Sequence, residues 1–587
     1  MKPLIKISES VIKRLSKAKE PCFGKLAGTC SQNTFVVLGL HVDNETDLFN
    51  SYPGEVYCCG VFQINDDGTF DEDRVLQSVH VVDVTDSPIF ISCKLGAPNE
   101  IVVRIVSNDH IEELEYLTVS EQDIYSQFVH IRLKGEIPLK CEVSLESIQE
   151  AFQKVIKTVS SGEVVFTIPK TNVFLFGGAN EDSTVGIDSE RKVVDMLEES
   201  NETVEGIQKK KKTQSFKLDI LDINILKRVT RNTEDSATNQ HAPLCILEKK
   251  AAKALDTMLC IDFLSVIYRE GKVANLYEIL IETTVRYLKL YESSLMSYFV
   301  TYVSDIAYIA EVSRLETFHF YPTECGHFLT LLYPTSETEN SLKKQRELLH
   351  KQLLLDVVTP MFRRGNRYKF KIENPNSGPL LNPHEGVKPT DNGGTIALVK
   401  GKYEYYHYCQ NKMDDNGWGC AYRSLQTLAS WYKLQGYVDR EVPSYKEIQK
   451  CLVDIGDKPA SFIDSRQWIG STEVNFVLNT LLGITCKILY VSSGEDMAMK
   501  GPELVNHFLN QGSPIMIGGG VLAHTILGVD YNQQTGDIRF LILDPHYTGG
   551  EDLHVIQNKG WCGWKTVDFW DKSAYYNMCL PQVPRGV

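Results

Sequence analysis

The sequence has no uninterrupted apolar run close to the ~20 residues that a membrane-spanning helix requires. Its densest apolar stretch, residues 258–268, contains Asp262. Residues 1–20 alternate lysine with apolar residues and lack the apolar core and small-residue cleavage site of a secretion signal. We therefore expect a chain without a membrane span that stays in the cytoplasm, with the nucleus as an alternative location.

Positive charge is scarce as well. Lys and Arg number 61 against 76 Asp and Glu, which gives a net charge of −15 and a pI near 5.5. Because nucleic acids are bound by clustered Lys and Arg, this balance argues against a nucleic-acid-binding protein. The basic run at residues 209–212 is more typical of a solvated linker than of a nuclear address.

Paired cysteine ligands are missing. The 15 cysteines contain no C-x-x-C pair and lack the dense spacing of a secreted disulfide scaffold. The nearest mixed cluster is His319, Cys325 and His327, residue types that are more often ordinary interior residues than metal ligands. We therefore expect reduced cysteines, no metal and no cofactor.

Composition and periodicity predict an α+β protein in several parts. The chain opens with an amphipathic segment, 8–17, and continues with β-rich runs separated by turn residues. Helical patterns at 276–307 and 341–355 dominate the middle. In order, the predicted segments are an α+β N-terminal domain, 1–176; a charged flexible linker, 177–215; a helix-rich middle region, 216–373; a Pro/Gly/Asn-rich boundary, 374–400; and a catalytic domain, 401–587.

The chemistry is concentrated in residues 414–424, Asp-Asp-Asn-Gly-Trp-Gly-Cys-Ala-Tyr-Arg-Ser, where turn residues precede a predicted helix. Cys420 stands at the N-terminus of that helix. There the unpaired N–H groups and the helix dipole favour a thiolate and lower the pKa of the thiol. Gly417 and Gly419 would let a substrate backbone come close. This is the arrangement of a papain-like nucleophile, and a buried structural cysteine is the alternative.

Two histidines could serve as the base for this cysteine. His524 begins a predicted strand and has Asp544 20 residues downstream. His546 follows Asp544 in Asp-Pro-His, where residues i and i+2 of an extended segment point to the same side and Pro545 fixes φ. Spacing alone leaves the choice between the two histidines open.

Four blocks of the C-terminal part closely resemble the peptidases specific for the ubiquitin-fold modifier Ufm. The likeness continues through Lys-Gly-Trp-Cys-Gly-Trp-Lys at 559–565, and the long N-terminal extension is similar to that of the longer, type 2 members. The four blocks are DNGWGCAYRSLQ at 415–426, SRQWIGS at 465–471, IGGGVLAHTILGV at 517–529 and LDPHYTG at 543–549.

The resemblance implies a papain-like thiol protease that cleaves after the C-terminal glycine of Ufm. Such an enzyme matures the precursor of the modifier and removes the modifier from conjugated lysines. The resemblance implies Cys420 as nucleophile, His546 as general base and acid, and Asp544 as orienting carboxylate. It leaves His524 as a structural neighbour.

Two aromatic residues match further positions of the family. Tyr408 matches the tyrosine whose hydroxyl forms the oxyanion hole together with the Cys420 backbone N–H. Trp468 matches a tryptophan near the site that gates or contacts the incoming tail. The implied partners are therefore Ufm and its lysine conjugates.

The N-terminus resembles the start of an MPN-type domain, the fold of zinc isopeptidases, through residues 5–12 and 53–61. An active zinc site requires an H-x-H pair and an acidic ligand. The first hundred residues contain only His41 and His80, so we expect an inactive, binding version of the fold. The resemblance implies that such an extension docks an adaptor at the endoplasmic reticulum membrane.

Two other functions stay open at this point. A protease for autophagy-type ubiquitin-like modifiers would share the cysteine and the Asp-Pro-His arrangement. An adaptor or scaffold is the alternative from another class, because most of the chain lies outside 401–587. Replacement of Cys420 separates the classes, because a scaffold keeps its role and a protease loses cleavage.

Overall fold

The structure is a computed structural model in which the chain forms two compact units, Met1–Val357 and Val358–Val587. Most of the predicted linker lies outside the described residues, and so do His80 and part of the predicted boundary, 374–377. The described residues are 3–31, 33–44, 47–68, 73, 75–76, 82, 88–97, 101–107, 110–142, 144–177, 184–197, 218–227, 254–302, 314–357, 359–370, 378–390 and 392–586.

The first sheet of unit 1 is built from the N-terminal residues. Its strands are β1 (Leu4–Ser8), β2 (Cys22–Ser31), β3 (Thr34–Val42), β4 (Tyr57–Asn65), β5 (Ile89–Lys94), β6 (Ile101–Ser107), β7 (His110–Glu113) and β8 (Tyr116–Val119). In the described residues they lie in the order β7-β6-β5-β4-β2-β3-β1-β8. Helix α1 (Glu9–Ser16) confirms the amphipathic segment predicted at 8–17. Ser8 caps the N-terminus of this helix, because its hydroxyl accepts a hydrogen bond from the Ser10 N–H. The helix buries Val11 and Leu15.

The second sheet of unit 1 joins residues far apart in sequence. Its strands are β9 (Phe128–Glu142), β10 (Val164–Thr167), β11 (Phe174–Phe176), β12 (Thr184–Val185), β13 (Ile220–Lys227) and β14 (Ala254–Tyr268), in the order β12-β11-β10-β13-β9-β14 over the described residues. Helices α2 (Glu121–Tyr125), α3 (Leu145–Ser160) and α4 (Leu276–Tyr302) belong to the same unit, followed by β15 (Leu315–Phe320), β16 (Leu329–Pro334) and α5 (Lys343–Gln352). Phe152 of α3, Tyr291 of α4 and Phe263 of β14 lie in one hydrophobic core between these helices and the sheet.

The division predicted at 176 is wrong, because the second sheet joins strands from both sides of it. The region 216–373, predicted to be helix-rich, contains, among its described residues, four strands, β13 to β16, besides its helices. Strand β9 precedes the predicted boundary, yet it pairs along its whole length with β14 and also with β13. The helices predicted at 276–307 and 341–355 correspond to α4 and α5. Local periodicity identifies those helices, but it contains no information about which distant strand completes a sheet, and the apolar run at 258–268 does not alternate.

Unit 2 has a single antiparallel sheet with helices packed on it. Its strands are β17 (Thr395–Leu398), β18 (Cys486–Val491), β19 (Ile515–Gly519), β20 (Leu522–Tyr531), β21 (Ile538–Leu543), β22 (Cys562–Lys565) and β23 (Tyr576–Pro581). The order is β18-β23-β19-β20-β21-β22, with β17 paired to β20. The helices are α6 (Cys420–Leu434), α7 (Tyr445–Asp454), α8 (Ser471–Leu482), α9 (Gly501–Asn510) and α10 (Leu553–Asn558).

Helix α6 is the central helix of unit 2. Nearly all of its first thirteen residues are buried, on every side of the helix, because it packs against β19 and β20 and also against helix α8. The strand predicted at His524 is confirmed as part of β20. The register of β20 and β21 pairs Thr525 with Leu543, so His524 and Asp544 lie side by side at the end of the sheet. Among the described helices of the whole chain, none is long and apolar enough to cross a bilayer.

Candidate active site

Cys420 is the first residue of α6, as the sequence predicts. Gly419, the residue before the helix, has no side chain that could accept a hydrogen bond from the first N–H groups of α6. Gly417 has φ +83° and open space beside it, which suits close approach of a substrate backbone. Glycine is required at position 419 for a different reason. A Cβ there would lie 2.4 Å from the Tyr445 hydroxyl, so packing requires the glycine.

Asp544 and His546 form a hydrogen-bonded pair immediately after β21. His546 Nδ1 donates to Asp544 Oδ1 at 2.6 Å, and the His546 backbone N–H donates to the same oxygen at 3.0 Å. This arrangement puts a proton on Nδ1 and fixes the ring. Because Nδ1 is taken by Asp544, the interaction of His546 with Cys420 uses the other nitrogen, Nε2, which is buried. Nε2 is therefore available to exchange a proton with a reacting group.

Cys420 and His546 perturb each other's protonation. Burial disfavours the thiolate, but the hydrogen bond and the charge of His546, with smaller contributions from the Ala523 backbone and the Tyr408 hydroxyl, lower the pKa of Cys420 below its ordinary value. Burial also disfavours the imidazolium, yet the hydrogen bond with Asp544 and the attraction of Cys420 raise the pKa of His546 to about 9. The site therefore shifts the pair toward a thiolate beside an imidazolium.

His524 lies beside this pair without joining its hydrogen bonds. Its Nε2 is 3.9 Å from Asp544 Oδ2, and its ring packs 5.2 Å from the His546 ring and 5.1 Å from Phe569, measured between centroids. Burial outweighs the attraction of Asp544 and lowers the pKa of His524 to about 4, so His524 is neutral near pH 7. Of the two histidines that spacing left open, the geometry brings His546 to Asp544.

The structure also shows which potential metal ligands lie close together. Among the described residues, one group of three potential ligands lies within 4.8 Å, namely His524, Asp544 and His546, and the hydrogen-bonded pair accounts for its closeness. The cluster that the sequence analysis considered in the middle region does not converge on one point. His319 binds Thr330 and Asp262, whereas His327 faces Arg14 at 3.5 Å, and a cation so close disfavours a metal ion.

Tyr408 lies against both members of the reacting pair. Its side chain is 2 % exposed, and its ring stands perpendicular to that of His546 at 5.3 Å. Its backbone N–H donates to the C=O of Pro545 at 2.9 Å, which ties the tyrosine to the Asp-Pro-His segment. Burial, the Cys420 charge and the hydrogen bond with Cys420 raise the pKa of Tyr408, so the hydroxyl keeps its proton as a donor.

A buried ion pair supports the two loops that meet at the thiol, and the sequence analysis did not find it. The Asp415 side chain is fully buried. It accepts the Arg423 Nε–H at 2.6 Å, the Tyr445 hydroxyl, and the Cys409 backbone N–H at 2.7 Å. The Asp415 C=O accepts the Gly419 N–H at 2.9 Å. The available signal was an arginine within a predicted core helix, eight residues after an aspartate.

His407 makes a second buried connection next to Tyr408. Its Nε2 faces Glu551 Oε1 at 3.1 Å, and its Nδ1 donates to the C=O groups of Tyr408 and Tyr547 at 3.0 and 3.1 Å. Burial opposes ionisation of Glu551, but the hydrogen bonds from His407 and Gln410 lower the pKa of this carboxyl. These bonds join the segment 407–410, which contains Tyr408, to the segment 547–551, which follows His546.

Trp468 lies on the loop before α8, and its side chain is 56 % exposed. The Tyr422 hydroxyl, in the first turn of α6, donates to the C=O of the neighbouring Gln467 at 3.0 Å. The loop that carries Trp468 is therefore attached to the helix that begins with Cys420.

A thiol activated by a histidine that an aspartate orients is the chemistry of cysteine peptidases. In unit 2 the thiol begins a buried helix and the histidine follows a strand of the sheet, which defines the papain-like class. The comparison with family models agrees. The model of peptidase family C78 matches residues 394–579, that of the insect UFM1-specific protease N-terminal MPN-like domain matches residues 1–124, and that of the N-terminal part of ubiquitin-fold modifier 1 specific protease 2 matches residues 149–375.

Relatives match along the whole chain. The probable Ufm1-specific protease 2 of Drosophila melanogaster is 36% identical over 612 aligned residues that cover 100% of both chains, and the Ufm1-specific protease 2 of Gallus gallus is 42% identical over 76% of this chain and 95% of its own. The crystal structure of UfSP from C. elegans has the same fold, with a TM-score of 0.65 at 23% identity over 100% of both chains. The chain belongs to the Ufm1-specific protease 2 family, which confirms the resemblance, the papain-like C-terminal domain and the MPN-like N-terminal domain.

Proposed function

We propose that this chain is a thiol protease that cleaves after the C-terminal glycine of Ufm1, both in the precursor and in lysine conjugates. The observation that carries the proposal is the hydrogen-bonded Asp544–His546 pair next to Cys420 at the start of α6, an arrangement that lowers the pKa of the thiol. The substrate is inferred from the relatives, because their names specify Ufm1. A propeptide and a lysine conjugate both present an amine leaving group, so one site serves both reactions.

The reaction is an acyl transfer in two halves. The Cys420 thiolate attacks the carbonyl carbon of the terminal glycine, and the resulting oxyanion is stabilised by the Tyr408 hydroxyl and the Cys420 N–H. His546 gives its proton to the amine as the C–N bond breaks, which leaves a thioester on Cys420. His546 then takes a proton from water, the hydroxide attacks the thioester, and the thiolate departs. Asp544 orients His546 throughout, and Trp468 contacts the incoming tail.

Cleavage of a Ufm1 fusion with a C-terminal extension tests the function. Wild-type protein is expected to release the extension, whereas Cys420→Ala is expected to bind the fusion without cutting it, because the variant lacks the thiol whose pKa His546 lowers. Cys409→Ala is the matched control. Cys409 is an exposed thiol eleven positions earlier, and its replacement should leave cleavage intact. A fusion to an autophagy-type modifier should not be cut.

Two outcomes would contradict this assignment. Cleavage that survives Cys420→Ala would show that the nucleophile is elsewhere. A folded wild-type protein that cuts no Ufm1 fusion would favour the adaptor alternative.

The pH dependence of kcat/KM follows from the two shifted groups. Activity needs Cys420 as thiolate and His546 with its proton, so kcat/KM should fall as the pH drops below the lowered pKa of Cys420. It should also fall as the pH rises through about 9, where His546 loses its proton. Asp544→Asn should move the alkaline limb to lower pH, because the hydrogen bond with Asp544 raises the pKa of His546. An unmoved limb in this variant would exclude His546 as the titrating acid.

We also infer that the N-terminal MPN-like domain is a binding module that docks an adaptor at the endoplasmic reticulum membrane. The match of residues 1–124 to the MPN-like domain of the family supports this proposal, together with a sequence whose first hundred residues offer no H-x-H pair for zinc. Fractionation of cells checks the location. The full chain should sediment with microsomes and be released by a high-salt wash without detergent, and recovery in the cytosolic fraction alone would contradict the proposal.

A further inference from the structure

Four large side chains of unit 2 are exposed around the hairpin next to the thiol. Val521 is 67 % exposed, Leu522 50 %, Tyr490 57 % and Tyr575 50 %. We call these four residues the apolar rim. The turn that carries the first two reads Gly-Gly-Gly-Val-Leu-Ala and contains no charge. Exposed apolar side chains that cluster in this way are typical of protein–protein contacts.

The rim is continuous. Gly519, at the end of β19, packs so closely that a Cβ there would lie 2.5 Å from the Tyr575 C=O, and a Cβ on Gly520 would lie 3.7 Å from Ala574 Cβ. The hairpin tip therefore rests on the segment 574–575. The Tyr575 ring in turn stacks on Tyr490 of the edge strand β18, with centroids 6.4 Å apart and planes 23° apart. One surface thus extends from the hairpin tip to the edge of the sheet.

The same surface reaches the reacting sulfur. Ala523 directly follows Leu522 on β20, and its backbone lowers the pKa of Cys420 through a hydrogen bond with the thiolate. The next residue, His524, packs on His546. The rim therefore begins one residue away from a group that touches the nucleophile.

We propose that the apolar rim is the surface on which the folded body of Ufm1 rests while its tail lies at Cys420. This inference depends on the proposed function, because it assigns a docking surface to the same substrate. A modifier whose tail is held at the thiol must place its folded body within the reach of that tail, and the rim is the uncharged, exposed surface that continues outward from the site. Two stacked tyrosines are also the kind of anchor that dominates binding energy in protein interfaces.

Two substrates distinguish an effect on docking of the folded modifier from an effect on the cleavage reaction itself. One is folded Ufm1 with a C-terminal extension, and the other is a short fluorogenic peptide with the C-terminal sequence of Ufm1. The double variant Val521→Ser/Tyr575→Ser removes apolar surface without adding charge near the thiol. The ratio of kcat/KM for folded Ufm1 to kcat/KM for the peptide should fall at least about tenfold, because loss of two anchors costs binding of the folded body alone.

Ile396→Ser is the matched control. Ile396 is 44 % exposed on β17 and pairs with Asp530, at the end of β20 opposite to Leu522. This variant should keep the wild-type ratio. An unchanged ratio in Val521→Ser/Tyr575→Ser, or an equal loss with both substrates, would overturn the proposal. A change from dimer to monomer in that variant, seen by sedimentation velocity, would overturn it in favour of a second copy of the chain.

Binding measured without turnover keeps this inference separate from the proposed function. Calorimetry with the Cys420→Ala chain and mature Ufm1 should show binding that Val521→Ser/Tyr575→Ser weakens at least about tenfold. If the wild-type chain cut neither substrate but this binding and its loss were observed, the protease assignment would fail and the docking surface would stand. If cleavage occurred and the rim variants bound Ufm1 like wild type, the docking surface alone would fail.

Discussion

His546→Ala is expected to lower kcat/KM for a Ufm1 fusion by roughly 10²–10⁴-fold, whereas His524→Ala should lower it by no more than about tenfold. The Nδ1 of His546 donates to Asp544, which leaves the buried Nε2 for Cys420, and the hydrogen bond and charge of His546 lower the pKa of the thiol. Loss of this ring therefore removes the proton donor and the activation of the nucleophile together.

His524 is expected to matter less because its environment keeps it neutral. Burial lowers the pKa of His524 to about 4, and its Nε2 stands 3.9 Å from Asp544, beyond hydrogen-bond distance. Its contribution is packing against the His546 ring. His524→Phe, which keeps an aromatic ring on the same strand, should therefore recover most of the activity that His524→Ala loses.

Initial rates with the Ufm1 fusion, together with circular dichroism to verify folding, decide between the two histidines. If His524→Ala abolished cleavage and His546→Ala retained it, the base would lie on strand β20 and the Asp544–His546 pair would be structural. Equal losses from both variants would show that Asp544 needs both rings to hold its position.

Much of this site could be predicted from local sequence. Turn glycines before an apolar helix pattern located Cys420 at the start of α6, and the Asp-Pro-His spacing predicted a preformed pair between Asp544 and His546. The choice of His546 over His524 could not come from spacing, because both histidines lie beside Asp544. It depends on strand register and burial, which turn one histidine into a hydrogen-bonded base and the other into a neutral packing residue.

Other features were outside the reach of local patterns. The role expected of Gly419 was access for substrate, whereas its packing against Tyr445 depends on a helix that begins 26 residues later. The pairing of β9 with β14 joins segments separated by more than a hundred residues, and nothing in the periodicity of either strand specifies its partner. Tyr408 came from family resemblance alone, because its hydroxyl reaches the thiol only through the fold.

Replacement of Asp415 by alanine is expected to lower the free energy of unfolding of unit 2 by about 3–5 kcal/mol. The change leaves the Arg423 guanidinium, 1 % exposed, without its carboxylate, and it removes the acceptor of the Tyr445 hydroxyl and the Cys409 N–H. Cys409 has φ +61°, a conformation that costs a non-glycine residue roughly 1–3 kcal/mol and persists only when its surroundings hold it. Loss of the N–H acceptor therefore also loosens the loop that carries Tyr408.

The chain offers a direct way to measure this stability. All six tryptophans stand between residues 418 and 570, so tryptophan fluorescence during urea unfolding of the full chain reports on unit 2. Arg440→Ala is the control, because Arg440 pairs with Glu447 at 3.1 Å while both side chains are over 40 % exposed. Exposed pairs of this kind contribute ~0–1 kcal/mol, so the control should unfold close to wild type.

A double-mutant cycle distinguishes a paired charge from simple packing. If the pair is the cause, Arg423→Met should cost much less in an Asp415→Asn background than in wild type, because the second change then removes a charge that is already unpaired. Equal costs in the two backgrounds would mean that the arginine stabilises α6 by packing alone. Because the Asp415 carboxylate holds both Arg423 and the Cys409 N–H, Asp415→Asn should also lower kcat more than it raises KM. A loss confined to KM would place the effect of Asp415 on substrate binding instead of on the geometry between Tyr408 and Cys420.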